Sequence, residues 1–255
     1  MSVFVRYNEH GRLGNRMFQY AFGYLLSKQK ETNFYAEGIP NFCIPSTFVF
    51  PPPPQRIETK MFGDHHADLG YLLHSTEDIL VNSFLQKSSY YAQFRSELRR
   101  AFRVSQQQEM LHPDKLVLHV RETDYTDIGC FLGYEAYKQI IDKLGFSDVV
   151  VVTDNSTCDT VKRLVSDGCT LNTNGRVDSF TTDCDQRGMI DFCTLLCSEN
   201  VAISQSSFSW WAAFLGEHKN VYFPFTKQSG MWKLVPEKDD IDLFYESSET
   251  HKIVI

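Results

Sequence analysis

An arginine followed by two acidic residues is the first group in the chain that suggests chemistry. The segment HVRETDY, at 119–125, carries Arg121 and Asp124, and Asp127 lies two residues beyond its end. A guanidinium can bind a phosphate through two parallel charge-assisted hydrogen bonds, and a nearby carboxylate can fix its orientation. We therefore predict a phosphate site at Arg121, with Asp124 in the same motif.

Two further polar turns follow apolar stretches. Asp154 and Asn155, in TDN at 153–155, could accept hydrogen bonds from a nucleoside, or could instead cap the helix that follows. The turn SQSS at 204–207 offers the hydroxyls of Ser204, Ser206 and Ser207 at the start of a helix. Hydroxyls and unpaired backbone N–H groups at a helix N-terminus bind anions without any net charge.

A glycine-containing loop opens the first helix. In GRLGNR, at 11–16, Gly11 and Gly14 allow the backbone to approach a ligand closely, and Asn15 adds an amide. The loop lacks the third glycine of the dinucleotide-binding fingerprint, so it is a weak signal by itself.

The elements that position these groups alternate between strand and helix. The pattern predicts strands at 3–7, 79–84, 115–120, 149–153, 201–204 and 221–223, and helices at 15–29, 90–102, 134–144, 157–166, 187–198 and 208–216. Such alternation indicates an α/β fold with parallel sheets, in which ligands bind at the carboxyl ends of the strands. The polar run at 105–109 suggests a boundary between two domains, 1–108 and 109–255.

Composition excludes several classes of protein. The net charge is −7 and no cluster of Lys and Arg occurs, which argues against a nucleic-acid partner. No segment approaches the roughly 18 apolar residues of a membrane span, so we expect a soluble, cytoplasmic chain. Seven cysteines without a CxxC pair indicate free thiols rather than a disulfide framework or a zinc ribbon.

Four short motifs, in this order, resemble the α-1,2-fucosyltransferase family and its relatives that form α-1,6 and protein O-fucose linkages. They are GRLGNRMFQYAFGYLL, HVRETDY, VVVTDN and SQSSFSWWAAFL, and they extend from residue 11 to residue 215. The resemblance implies a GT-B-like fold, in which two Rossmann-like domains face each other and the second holds most of the nucleotide sugar. It also implies inverting transfer from GDP-β-L-fucose to a sugar acceptor, with no metal or other cofactor.

The resemblance also implies roles for individual residues. Arg121 would bind the donor diphosphate, with Asp124 in the same HxRxxD motif, and Asp154 would contact the nucleoside. Asp191 would support the arginine, and Ser206 and Ser207 would bind phosphate. Asn15 and the loop from Gly11 to Gly14 would face the donor and the acceptor cleft.

Two departures from the family pattern bear on the donor. The family commonly has HVRRGDY, whereas Glu122 and Thr123 stand in place of the second arginine and the glycine, and Arg16 stands in place of a glutamine. The lost positive charge leaves open a different GDP-deoxyhexose donor, such as GDP-rhamnose, or a non-catalytic module that binds GDP or carbohydrate.

Several residues have a second interpretation. His119 could act as a general base, but a histidine inside an apolar strand is more often packed in a core. An inverting transfer needs a group that accepts the acceptor proton, and Asp127, Glu122, Glu9 and His10 all remain candidates. The triplet DCD at 183–185 imitates a metal-binding motif, but its position before a helix favours capping.

Overall fold

The computed structural model describes residues 1–7, 12–48, 52–104, 109–122, 131–173, 184–225 and 241–255, without the side chains of 184–187. These residues divide into two compact units. The first contains residues 1–104 and 241–243, and the second contains the described residues of 109–225 together with 244–255. Predicted positions Gly11, Asp124 and Asp127 lie outside the described residues, as do Glu9 and His10.

The first unit has a parallel sheet with the strand order β2-β1-β4-β3. Its strands and helices are β1 (Ser2–Val5), α1 (Leu13–Gln29), β2 (Asn33–Ala36), β3 (Ile57–Glu58), α2 (Leu69–His74), β4 (Ile79–Val81) and α3 (Arg95–Ala101). Helix α1 packs on β1, where an added Cβ at Gly23 would lie 2.3 Å from Val5 Cγ2. The helix can approach the strand this closely only because residue 23 is glycine.

Lys30 closes the C-terminus of α2. Its ammonium donates hydrogen bonds to the carbonyl oxygens of Leu72, Leu73 and Ser75 at 2.7–2.8 Å. Cations are favourable at a helix C-terminus because the last carbonyls lack helical partners. Lys30 therefore joins the end of α1 to α2, although burial lowers the pKa of its ammonium.

We expect Lys30→Met to lower the free energy of unfolding by about 1–2 kcal/mol, because three carbonyls lose a charged donor. Urea denaturation would measure the change. Lys28→Met is the matched control on the same helix, since Lys28 makes a solvent-exposed ion pair with Glu97 and should matter much less. Equal losses in the two variants would contradict the assignment.

The second unit has a parallel sheet with the strand order β10-β9-β8-β5-β6-β7. Its strands and helices are β5 (His112–Val120), α4 (Gly133–Leu144), β6 (Val149–Thr153), α5 (Asp159–Ser166), β7 (Thr170–Leu171), α6 (Cys184–Leu196), β8 (Ser198–Ala202), α7 (Ser207–Leu215), β9 (Asn220–Phe225) and β10 (Thr250–Val254). The two parallel sheets confirm the predicted α/β class.

The two faces of β5 carry different side chains, as the period of a strand requires. Leu118 and Val120 join a buried apolar cluster with Tyr137 of α4 and Val161 of α5. His119 points to the opposite face, where its ring lies 5.8 Å from that of Phe208 in α7.

Within the described residues, no helix is long and apolar enough to cross a membrane.

Two predicted helices begin later than the sequence pattern indicates. The helix predicted at 90–102 is α3, and two 3-10 turns, Ser88–Tyr90 and Ala92–Phe94, precede it. The buried hydroxyl of Tyr91 donates to Leu85 O at 2.8 Å, which holds this segment in turns. The helix predicted at 157–166 begins at Asp159 because the Asn155 side chain holds Thr157 in a turn.

Candidate functional site

Arg121 and Asp154 meet at the carboxyl edge of the second sheet. Val120 and Thr153 are partners in the register of β5 and β6, so the next residue of each strand leaves the sheet at the same level. The guanidinium Nη1 of Arg121 bonds to the Asp154 carboxylate. The Arg121 side chain is only 12% exposed, so solvent screens this pair less than a surface ion pair.

The backbone of Arg121 is also held. Its N–H donates to the hydroxyl of Tyr137 at 3.4 Å, and burial raises the pKa of that phenol well above its usual range. Tyr137 therefore stays uncharged at any physiological pH. The ion pair with Asp154 restrains the side chain of Arg121, and the hydrogen bond to Tyr137 restrains its backbone.

His119 lies beside Arg121 as a packed, neutral ring. It is 3% exposed, and its Nδ1 lies 2.7 Å from the hydroxyl oxygen of Ser204. Burial, followed by the positive charge of Arg121, lowers the pKa of His119 to about 3. A ring with that pKa is a poor general base near pH 7, so the geometry favours the packed-core interpretation.

The N-terminus of α7 lies at the same edge, because β8 pairs with β5. Ser206 is the N-cap, and its hydroxyl oxygen accepts from the Phe208 N–H at 3.3 Å. Ser207 is the first helical residue, and Ser209 donates to the Ser206 carbonyl at 3.2 Å. The first turn of α7 can therefore present backbone N–H groups to an anion, while the Ser206 hydroxyl serves the helix.

Asn155 and Asp191 have partners within the fold. The Asn155 side-chain oxygen accepts from the Thr157 N–H at 3.1 Å and from its hydroxyl at 2.8 Å. The N-cap of α5 is Cys158, so Asn155 does not cap that helix. The Asp191 carboxylate accepts from the Asn172 amide at 3.2 Å. The acid that pairs with the Arg121 guanidinium in the structure is Asp154, and the support of the arginine by Asp191 stays a prediction from the resemblance.

Glu122 is 8% exposed although it follows Arg121 directly. It lies near the Cys158 thiol, whose pKa is raised by burial and additionally by the Glu122 carboxylate. Glu122 thus turns toward α4 and α5, the side opposite His119. A carboxylate buried there is poorly placed to accept a proton from an acceptor in solution.

The first unit has its own polar group at the carboxyl ends of its strands. Asn15, in the first turn of α1 beside the buried Gly14, accepts a hydrogen bond from the Gln86 amide at 2.8 Å. Tyr7 follows β1, and its hydroxyl donates to the Glu37 carbonyl at 2.7 Å. The Arg16 guanidinium lies 5.7 Å from the centre of the Tyr7 ring. Burial raises the pKa of Tyr7 well above its usual range, so this phenol is also neutral.

Comparison with solved structures identifies the type of fold. A mutant of Arabidopsis thaliana FUT1, solved in complex with GDP, is similar to this chain with a TM-score of 0.52 and 11% sequence identity. The similarity covers 87% of this chain and 70% of that one. The fold is GT-B-like. This confirms the predicted pair of Rossmann-like halves, and at 11% identity it shows the fold alone. No family model and no curated protein sequence matches the chain.

Sequence reasoning missed two buried amides, Gln19 and Gln86. Gln19 is 0% exposed and Gln86 is 6% exposed. The sequence signal that could have identified them was Gln19 itself, a polar residue within the apolar stripe that includes Phe18 and Phe22.

Among the described residues, no group of three or more His, Cys, Asp or Glu side chains could hold a metal ion.

Proposed function

We propose that this protein is a glycosyltransferase that moves L-fucose from GDP-β-L-fucose to a sugar hydroxyl with inversion, forming an α-1,2 linkage. The observation that carries the proposal is Arg121, held by Asp154 at the carboxyl edge of the second sheet beside the N-terminus of α7. A guanidinium and a helix N-terminus together suit a diphosphate. The GT-B-like fold and the GDP in the structure of FUT1 support a GDP-sugar as donor.

The reaction needs one bond to form and one to break at the anomeric carbon of fucose. The acceptor oxygen attacks that carbon, and the bond from the carbon to the β-phosphate oxygen breaks. GDP leaves with the electron pair of that bond, and the acceptor hydroxyl gives its proton to a base. Attack from the face opposite the leaving group turns the β-linked donor into an α-linked product.

Arg121 has the role of stabilising the leaving group. Negative charge grows on the β-phosphate as the glycosidic bond breaks, and a preorganised cation lowers the barrier most when it acts on such developing charge. The first turn of α7 adds backbone donors to the same charge. In this proposal these groups replace a metal ion, so transfer should continue in the presence of EDTA.

The proton acceptor stays open. Asp127, Glu9 and His10 remain candidates from the sequence, whereas the burial of Glu122 and the neutral, low-pKa ring of His119 argue against those two. The acceptor would be an oligosaccharide or a glycoside, with galactosides as the class that the motif resemblance implies.

The test is a transfer assay with GDP-fucose and a panel of galactosides, with the linkage assigned by NMR. We expect GDP to raise the melting temperature and an α-1,2-fucosylated product to form with or without EDTA. Preference for GDP-rhamnose in the same assay would replace fucose with another deoxyhexose. GDP binding without transfer or hydrolysis would indicate a binding module, and no response to GDP would reject the proposal.

A further inference from the structure

An open cleft of about 440 Å³ lies beside the loop that follows β2. It is lined by six residues: Gly38, Pro40, Cys43, Ile44, Pro45 and Ser46. The volume falls within the range of about 300–1,000 Å³ that is usual for small-molecule sites. Because β2 ends at Ala36, just before the first lining residue, the cleft lies at the carboxyl edge of the first sheet. Open parallel sheets bind ligands at that edge.

The loop that forms the wall of the cleft is closed by its own hydrogen bonds. Ile39 and Ile44 form an antiparallel bridge, in which each N–H donates to the carbonyl oxygen of the other residue, at 3.0 and 3.2 Å. The Cys43 N–H donates to the Pro40 carbonyl at 2.8 Å. An added Cβ at Gly38 would lie 2.6 Å from the Ile44 carbonyl oxygen, so the loop can approach this closely only because residue 38 is glycine. These contacts fix the wall of the cleft before any ligand arrives.

The lining of the cleft is better suited to hydrocarbon than to a sugar ring. Pro40 and Pro45 have no backbone N–H to donate. The Ser46 hydroxyl oxygen accepts from the Phe48 N–H at 3.3 Å and lies 3.4 Å from the Ala36 carbonyl oxygen, so it already has partners in its own loop. Sugar hydroxyls in such a cleft would lack hydrogen-bond partners, which costs free energy. Hydrocarbon gains free energy when it leaves water for an apolar surface.

A carboxylate adjoins the cleft at the same strand end. Glu37 directly precedes Gly38, and its carboxylate accepts from the Tyr7 N–H at 3.3 Å. The Tyr7 hydroxyl donates to the Glu37 carbonyl at 2.7 Å, which fixes the backbone of Glu37. Glu37 is half-buried, and a carboxylate has about four lone-pair sites, so it can also accept from sugar hydroxyls. A polar group beside an apolar cleft matches a molecule that has a sugar at one end and hydrocarbon at the other.

We propose that the cleft binds an apolar aglycone, an alkyl or aryl group, of the acceptor glycoside, while Glu37 contacts hydroxyls of the acceptor sugar. The inference rests on the proposed function, which supplies the glycoside acceptor. It narrows the acceptor to glycosides that carry an apolar group on the anomeric oxygen. A glycoside without that group leaves the cleft hydrated and therefore binds more weakly.

Two acceptors that differ only in the aglycone, methyl β-galactoside and octyl β-galactoside, test the inference on the wild-type chain. Transfer is measured with saturating GDP-fucose, and the octyl compound is kept below its micelle concentration. We expect the KM for octyl β-galactoside to be lower by about tenfold or more, because its chain leaves water for the cleft. The kcat should be similar for both, since the reacting hydroxyl is the same. Equal KM values would overturn the inference.

Cys43→Asp places a charge on the wall of the cleft. Cys43 has a φ of 52°, a left-handed conformation that aspartate tolerates better than most residues, so the fold should be kept. We expect the KM for octyl β-galactoside to rise about tenfold, with no change in the KM for methyl β-galactoside or in the melting-temperature shift caused by GDP. Cys193→Asp is the matched control, since Cys193 is also an exposed free thiol and lies on α6 in the second unit. The control should keep the wild-type ratio of KM values, and the same ratio in Cys43→Asp would overturn the inference.

Failure of the proposed function is separable from failure of this inference. If the wild-type chain binds GDP but fucosylates no galactoside, saturation-transfer NMR with octyl β-galactoside still reports which protons of the glycoside contact the protein. Saturation of the octyl protons that is lost in Cys43→Asp and kept in Cys193→Asp would uphold the cleft. Octyl saturation that persists in Cys43→Asp, or its absence in the wild type, would overturn it.

Discussion

Replacement of Arg121 by alanine is expected to lower kcat for fucosyl transfer by about 10²–10³-fold while the chain stays folded. The guanidinium is fixed before the donor arrives, by Asp154 at its side chain and by Tyr137 at its backbone. A preorganised donor of this kind stabilises developing charge without reorganising during the reaction. Its removal also leaves the Asp154 carboxylate, a like charge, beside the departing diphosphate.

The comparison of Arg121→Lys with Arg121→Ala separates charge from geometry. Lysine keeps the positive charge but lacks the planar fork that binds two oxygens at once, so we expect an activity between those of the wild type and the alanine variant. Initial rates at saturating acceptor would give kcat, and circular dichroism would confirm that each variant is folded.

Arg163→Ala is the matched control for Arg121→Ala. Arg163 lies on the surface of α5, where it pairs with Glu135 and lies over the ring of Tyr134. Its loss removes an arginine from the same unit that pairs with residues of α4 rather than with Asp154, and should leave transfer unchanged. Full activity in Arg121→Ala would reject both the phosphate site and the proposed function.

The sequence predicted the second sheet well where the apolar pattern was continuous. The run VVVVT predicted both ends of β6 correctly, as Val149–Thr153. A strand buried on both faces has few polar positions, so its apolar run is continuous. Strand β8 was predicted at 201–204 but is Ser198–Ala202. Its first three residues are polar, and long-range contacts such as that of Asn200 with Asn220 at 2.7 Å hold them in place.

Short strands could not be predicted because they owe their form to their neighbours. Strands β3 and β7 have two residues each, and each pairs with one longer strand. No periodicity is readable in two residues. Strand β10 is also missed, since its THKIV alternates weakly and is held by pairing with β9.

The candidate site was predictable as a region rather than as a set of contacts. The rule for strand ends correctly brought Arg121 and Asp154 to one edge. It could not show that Asp154 pairs with Arg121, because that depends on the register of β5 and β6. It also could not show that Glu122 turns inward, because a strand's end residue can leave the sheet on either side.

Acidification is expected to destabilise the fold through His119. The pKa of His119 is about 3 in the folded chain, against about 6.5 for an unperturbed histidine. Between these values the unfolded chain binds a proton that the folded chain does not, so the contribution is complete above pH 6.5 and is lost as the pH falls toward 3. At pH 5 the loss should be about 2 kcal/mol.

His119→Asn isolates this contribution, because asparagine keeps a polar atom near Ser204 but does not titrate. Urea denaturation at pH 7.5 and pH 5.0 would give the free energy of unfolding of both chains. The wild type should lose about 2 kcal/mol more than the variant between these two conditions, since all other titrating groups are shared. Equal losses, or an imidazole NMR signal of His119 that titrates between pH 5.5 and 7.5, would contradict a buried neutral ring. Because the ring is neutral throughout that range, titration of His119 does not account for a pH dependence of transfer near neutrality.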